Sequence, residues 1–260
     1  MLQLAVVERW EEFSADPDFL PAVNFPSPRE TEGEVLFLDG ILRPRGVQRV
    51  LDLGCGYGRH AIPLTQLQYW VVGLDYAGDF DAALSAAVAM RRGRISFLRA
   101  DMRKLPFTPA SFGAVLSMLT TFGFFPTEAE DKAALASIYR VLARGGILIL
   151  DVANRDYLAQ YFVNGEHHWL IPRRDGGYLE NHYYLNEELG RISLQSLLIK
   201  EGRMVRKSGF CIRLYSLSEL TGMVRGAGFD ITGLWGNYEG DRYGPLSPRM
   251  ILVGQKGSGE

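Results

Sequence analysis

The sequence predicts an α/β protein: a doubly wound, mostly parallel seven-stranded sheet with an antiparallel β insertion after the fifth strand. Three observations carry the prediction. Between Val47 and Val152 short apolar runs alternate with segments of helical periodicity; strands without interior polar residues mark a parallel sheet covered on both faces. After Asn154 the runs alternate instead and are rich in aromatic and β-branched residues, an antiparallel texture. The first apolar run also leads straight into glycines at alternate positions, Gly54, Gly56 and Gly58, before a helical segment.

Taken in order, Leu2–Phe13 reads as a helix, and Asp16–Arg29 carries four prolines, too many for regular structure. Thr31, with Glu34 three residues on, reads as the capping box of a helix bearing Val35, Leu38, Ile41 and Leu42 on one face. Strands are expected at Val47–Leu53, Tyr69–Asp75, Ile95–Leu98, Phe112–Met118 and Ile147–Val152, with helices at Arg59–Leu67 and Gly78–Arg91. Thr127 and Glu130 cap a further helix whose buried stripe is Leu135, Ile138, Val141 and Leu142, and Arg144-Gly145-Gly146 stops it. Tyr178–Leu185, Gly190–Lys200 and Arg203–Tyr215 read as antiparallel strands. Ser216 and Glu219 cap a last helix ending at Gly226-Ala227-Gly228, before strands at Phe229–Leu234 and Met250–Gly254; the Gly-Ser-Gly-Glu tail should fray. The expected organisation is an approach segment (1–46), a ligand-binding core (47–153), a β insertion roofing a pocket (154–215), and a closing helix and strands (216–260).

The balance of 28 basic against 30 acidic residues, a net charge of −2, argues against a protein dedicated to nucleic-acid backbones. At 47% hydrophobic and 22% charged, the 260-residue chain has enough apolar side chain to fold. No apolar run reaches the length of a membrane span, and the first ten residues lack the basic start of a signal peptide. Cys55 and Cys211 cannot form a disulfide framework or a four-ligand metal site. The expectation is a cytoplasmic, metal-independent protein.

The chemistry concentrates in Val50-Leu51-Asp52-Leu53-Gly54-Cys55-Gly56-Tyr57-Gly58-Arg59-His60. Glycines let the backbone turn tightly and let a ligand approach without Cβ interference, and the helix N-terminus beyond favours anionic groups. Gly73-Leu74-Asp75 ends the next strand in an acid about twenty residues past the glycines, where a carboxylate can accept both hydroxyls of a ribose. Asp101-Met102, after the third strand, offers an acceptor for an exocyclic amine and an apolar side chain for a ring, or else a turn aspartate.

With Arg144-Gly145-Gly146 downstream, these segments resemble the class I S-adenosylmethionine-dependent methyltransferases in motif order and spacing over residues 31 to 153, and the remainder is similar to a bacterial subgroup of small-molecule methyltransferases. The resemblance implies that Gly54, Cys55 and Gly56 lie against the methionine moiety of the cofactor, S-adenosylmethionine. It implies that Asp75 holds the ribose, Tyr76 flanks the adenine, Asp101 receives the adenine amine, and Met102 packs on the ring or donates its N–H. Ser117 would meet the cofactor's amino group through its carbonyl. Asp52 stands where the family keeps an acid near that amino group or braces the fold, and His60 is read as a packed histidine in preference to a base. The segment Ser117–Pro126 departs from the Asn/Asp-Pro-Pro-Tyr device of base and amide methylation, which disfavours a nucleic-acid acceptor.

The expected activity is methyl transfer to an amine or hydroxyl of a small molecule, with no membrane partner. Thr121, Phe122, Arg213 and Tyr243 are candidates to line the acceptor pocket, and His182, Tyr215, Tyr243 and Arg249 to act in catalysis. The His167-His168 pair reads as a surface feature. Two alternatives stay open: a nicotinamide-dependent oxidoreductase, disfavoured because Arg59 replaces the third glycine of Gly-x-Gly-x-x-Gly, and a non-catalytic binding protein that kept the fold.

Overall fold

The computed structural model describes residues 26–76, 94–162, 166–173 and 176–257. The helices expected at Leu2–Phe13 and Gly78–Arg91, most of the proline-rich stretch and the last three residues lie outside these.

A seven-stranded sheet organises the chain. Strands β1 (Arg49–Leu53), β2 (Trp70–Asp75), β3 (Ile95–Arg99), β4 (Phe112–Ser117), β5 (Leu142–Ala153), β10 (Phe229–Trp235) and β11 (Arg249–Lys256) lie in the order β10-β11-β5-β4-β1-β2-β3. The β1, β2, β3, β4 and β5 pairings are parallel, and β11 runs antiparallel to both β5 and β10.

Apolar side chains on both faces of these strands bury two separate layers. On one face Leu51, Leu53, Val115, Leu148 and Leu150 pack with Leu135 and Ile138 of helix α3 (Glu128–Val141) and Leu220 and Val224 of α5 (Leu217–Gly226). On the other, Val50, Ala114, Leu116, Ile147 and Ile149 pack with Val35, Leu38, Ile41 and Leu42 of α1 (Pro28–Leu42) and Leu64 of α2 (Ala61–Gln66). Each fully buried Leu or Ile contributes about 1.5–3 kcal/mol, so a strand apolar throughout belongs between two helical layers. Strand β1 has β2 on one side and β4 on the other, the topological switch point where open α/β sheets bind ligands beyond their carboxyl ends.

The capping boxes expected at Thr127/Glu130 and Ser216/Glu219 are present. The one expected at Thr31/Glu34 is not: Ser27 caps α1 with Glu30, and Pro28 starts the helix three residues earlier. Proline fits there because its missing N–H has no helical partner in the first turn, and this leaves Glu34 free for another use. Helix α2 starts at Ala61 rather than Arg59, with Pro63 tolerated in its first turn. Helix α3 ends at Val141, ahead of the Arg144-Gly145-Gly146 stop; Leu142 is already extended, and the left-handed Gly145 sits in the irregular start of β5.

After α4 (Arg155–Ala159) comes an antiparallel meander, β6 (Glu166–Pro172), β7 (Tyr178–Asn186), β8 (Arg191–Lys200) and β9 (Arg203–Arg213). Strand β6 escapes sequence reading because it is a mostly exposed edge without apolar alternation, and His167 and His168 lie in it. Strand β9 stops at Arg213, short of the expected Tyr215. One face of the meander packs Leu185, Ile192 and Ile212 against Phe124, Ala153 and Leu158, which docks it beside the carboxyl edge of the large sheet.

Candidate functional site

At the carboxyl ends of β1 and β2 the chain closes a tight turn. The Gly54 and Cys55 amides both donate to the Leu74 carbonyl (2.8 and 3.2 Å), the Gly58 amide donates to the Cys55 carbonyl (2.8 Å), and Gly54, Gly56 and Gly58 all have positive φ, which side chains disfavour. The Gly56 amide donates to Oδ2 of Asp75 at 2.9 Å, so the acid ending β2 leans over the loop. A Cβ on Gly56 would meet nothing within 4 Å, the open cradle a ligand needs. At Gly54 a Cβ would overlap Thr121, whose side chain lies against the bare backbone from the segment after β4.

Beneath the loop lies a buried ionic cluster. Asp52 is buried on β1, and burial pushes its carboxyl up to about 6 although His60 and Arg59 pull the other way. Oδ2 of Asp52 has no hydrogen-bond partner. Glu34 of α1 receives Nη1 of Arg59 and meets Nε2 of His60, both at 2.7 Å and all buried, while Arg59 also donates to Thr31 Oγ1 at 3.1 Å. His60 is thus a packed histidine with a carboxylate partner, and the approach helix anchors the glycine loop.

A second network borders the crevice from β5. Buried Asp151 accepts from the Leu119 amide (2.8 Å) and Tyr238 hydroxyl (2.5 Å) on Oδ2, and from Arg249 Nε (2.6 Å) on Oδ1. Burial opposes the Arg249 charge, but Asp151 and the neighbouring phenol more than offset it, and the guanidinium stays charged. Burial and the Asp151 charge together push the Tyr238 phenol well above its usual range.

Several predicted residues meet at this edge: Gly54, Cys55, Gly56, Asp75, Thr121 and Arg249, with Tyr76 42% exposed beside them. Ser117 is in register with Leu53 and buried, its Oγ unpartnered. Cys55 is buried, and desolvation pushes its thiol far up, so it is a packing residue against Gly73 rather than a nucleophile.

Others have partners within the chain, and Asp101 takes the turn-aspartate role that the sequence left open. Both carboxylate oxygens of Asp101 are held by Arg103 at 2.6–3.1 Å, and Asp101 caps the short 3-10 turn Met102–Lys104; Arg103 continues to Glu130 and stacks over Phe125. Burial pushes the Asp101 carboxyl up, but the Arg103 contacts outweigh it and the net shift is downward. Met102 packs against the core layer that holds α3. Phe122 and Tyr215 are fully buried and stacked at 5.5 Å, the Tyr215 hydroxyl donates to Asp131 at 2.7 Å, and Arg213 lies over the Tyr215 ring while pairing with Glu128 and Glu219. Phe122 and Tyr215, both without exposed surface, and Arg213 hold the meander on the core. His182 alternates with Tyr183 and Leu185, so it lies on the face of the meander opposite the docked one, 3.0 Å from Glu180. Tyr243 is half-buried, packed against the α3-side core layer. Sequence reasoning missed Glu34, Asp151 and Tyr238 as site residues. Asp151 carried a signal, an acid two residues from the end of an apolar strand, close to the logic that singled out Asp75.

The cradle at Gly56, the acid leaning over it and the unpartnered polar atoms of Asp52 and Ser117 fit a nucleoside cofactor with an amino-acid end. Comparison with known proteins points the same way. A family model described as a methyltransferase domain matches residues 50–146. The chain is 29% identical over 164 residues to a glycine/sarcosine N-methyltransferase of Aphanothece halophytica, covering 62% of this chain and 57% of that one. It is 24% identical over 250 residues to a glycine/sarcosine/dimethylglycine N-methyltransferase of Actinopolyspora halophila, covering 95% and 40%. The chain therefore spans roughly half the length of these curated relatives. Among solved structures, the CcbJ methyltransferase from Streptomyces caelestis shares the fold with a TM-score of 0.80 at 19% identity, covering 95% of this chain and 99% of that one. No helix among the described residues is long and apolar enough to cross a membrane. Residues 50–146 thus match a methyltransferase domain, and the chain as a whole has the α/β fold of class I methyltransferases.

Proposed function

We propose that the protein transfers a methyl group to an amine or hydroxyl of a small-molecule acceptor. The observation that carries this reading is the Asp75 carboxylate bonded to the Gly56 amide across an open glycine turn at the switch point of the sheet. Gly54, Cys55 and Gly56 would hold the methionine end of S-adenosylmethionine, Asp75 its ribose, Tyr76 its adenine and Ser117 its amino group. When bound, the cofactor supplies a methyl group already activated on a sulfonium. The chain's task is then chiefly alignment at near-attack distance. Thr121 stands at the wall of the crevice, and the meander docked beside it would roof the acceptor. The relatives named for glycine and sarcosine N-methylation favour an amine acceptor over a hydroxyl. Free Cys55 and Cys211 accord with a cytoplasmic setting.

Calorimetry of the full chain with S-adenosylmethionine and with NAD tests the cofactor: the first is expected to bind and the second not. Asp75→Asn keeps an acceptor for the Gly56 amide but loses the carboxylate charge, and is expected to weaken S-adenosylmethionine binding tenfold or more. Binding of NAD alone, or unchanged affinity in Asp75→Asn, would overturn the reading. Absence of S-adenosylhomocysteine with a panel of small amines and alcohols would favour a binding protein without turnover.

A further inference from the structure

Two consecutive non-glycine residues after β4, Leu119 (φ +50°) and Thr120 (φ +61°), occupy the left-handed region. Side chains disfavour that conformation, and it persists only where the surroundings over-determine it. Here they do. The Leu119 amide donates to Oδ2 of Asp151 and the Thr120 amide to the Asp151 carbonyl, both at 2.8 Å. Thr120 Oγ1 accepts from the Ala153 amide and from Arg249 Nη2, both at 3.0 Å. Arg249 Nε and the Tyr238 hydroxyl fix Asp151 from its other sides. Phe37 of α1 meets the Trp235 and Tyr238 rings edge-on, each at 5.6 Å, which holds Tyr238 in place.

The residue that follows this strained pair is Thr121. Its hydroxyl donates to the Met118 carbonyl at 2.7 Å, and its side chain rests on the Gly54 backbone in the cofactor loop. We propose that Asp151 is a positioning residue for the cofactor site: through Leu119, Thr120 and Arg249 it holds the turn after β4 left-handed, so that Thr121 forms a fixed wall against Gly54. The proposal rests on the crevice being the S-adenosylmethionine site. Without the clamp the turn relaxes toward the right-handed or extended regions that Leu and Thr prefer, and Thr121 leaves the glycine loop. Arg249, a candidate for catalysis by sequence, acts here as one jaw of the clamp.

The test is calorimetric titration of the full chain with S-adenosylmethionine, with a thermal scan of each variant. Asp151→Asn is expected to weaken binding at least tenfold. Adding Leu119→Gly, which adopts the left-handed conformation without help, is expected to restore at least threefold of that loss, a recovery that general destabilisation would not produce. Thr120→Ala, which deletes the hydroxyl that Ala153 and Arg249 share, is expected to weaken binding at least fivefold, while Thr120→Ser stays within twofold of wild type. If Asp151→Asn does not fold, the Thr120→Ala and Thr120→Ser pair decides. Thr120→Ala or Asp151→Asn binding as tightly as wild type, or a loss in Asp151→Asn that Leu119→Gly leaves untouched, would overturn the proposal. A wild-type chain that binds no S-adenosylmethionine would sink the cofactor reading itself, and the proposal with it.

Discussion

Gly54→Ala probes the wall between the glycine loop and the turn after β4. Gly54 has φ +66°, a conformation that costs an alanine roughly 1–2 kcal/mol. The added Cβ would stand 2.7 Å from Oγ1 and 3.0 Å from Cβ of Thr121, and closer still to its Cγ2. Thr121 cannot swing away without breaking its bond to the Met118 carbonyl, so overpacking adds roughly 1–3 kcal/mol. The sum predicts a destabilisation of about 2–5 kcal/mol, or roughly 5–15 °C in Tm for a chain of this size. Thr121→Ala removes the two nearest atoms, Cγ2 and Oγ1, and leaves only the Thr121 Cβ at 3.0 Å. The double variant should therefore be more stable than the sum of the single changes by at least about 1 kcal/mol, leaving the φ penalty behind. Urea denaturation of the four proteins measures this cycle. A Gly54→Ala protein within about 0.5 kcal/mol of wild type, or strict additivity in the double variant, would refute the placement of Thr121 against Gly54.

Two further predictions concern buried charge. Glu34→Ala leaves Arg59 and His60 buried without their shared carboxylate and should cost about 3–5 kcal/mol in thermal or urea unfolding, a loss too large for a surface helix residue. Asp131, buried against Tyr215, has its carboxyl pushed up to about 6 by desolvation despite the bond from that hydroxyl. Because its folded value lies above the unfolded one, its favourable contribution is complete at low pH and fades as the pH climbs through about 6. Relative to Asp131→Asn, wild type should therefore lose on the order of 1–3 kcal/mol between pH 4 and 7; parallel unfolding profiles over that range would show that Asp131 ionises as readily in the folded chain as in the unfolded one.

What the sequence determined alone was whatever depends on local pattern. Apolar runs such as Ile147–Leu150 specify strands buried on both faces, because every side chain of such a run needs cover. Glycines at 54, 56 and 58 specify a turn only they adopt cheaply, and Asp75 at the end of β2 follows from the same strand-to-loop logic. The capping boxes at Thr127 and Ser216 were legible, while Ser27 was hidden by the equally good spacing of Thr31 and Glu34. Only the tertiary structure decided which partner each charged or polar group would meet. Glu34 finds Arg59 and His60 across about 25 residues, Asp151 finds Arg249 across 98, and Tyr215 finds Asp131 across 84. Asp101, by contrast, finds its partner in Arg103, two residues away. Periodicity records which side chains must leave water, and a glycine records where the backbone must bend. A buried charge records only that it needs a counterpart, and the path of the chain through the fold supplies it.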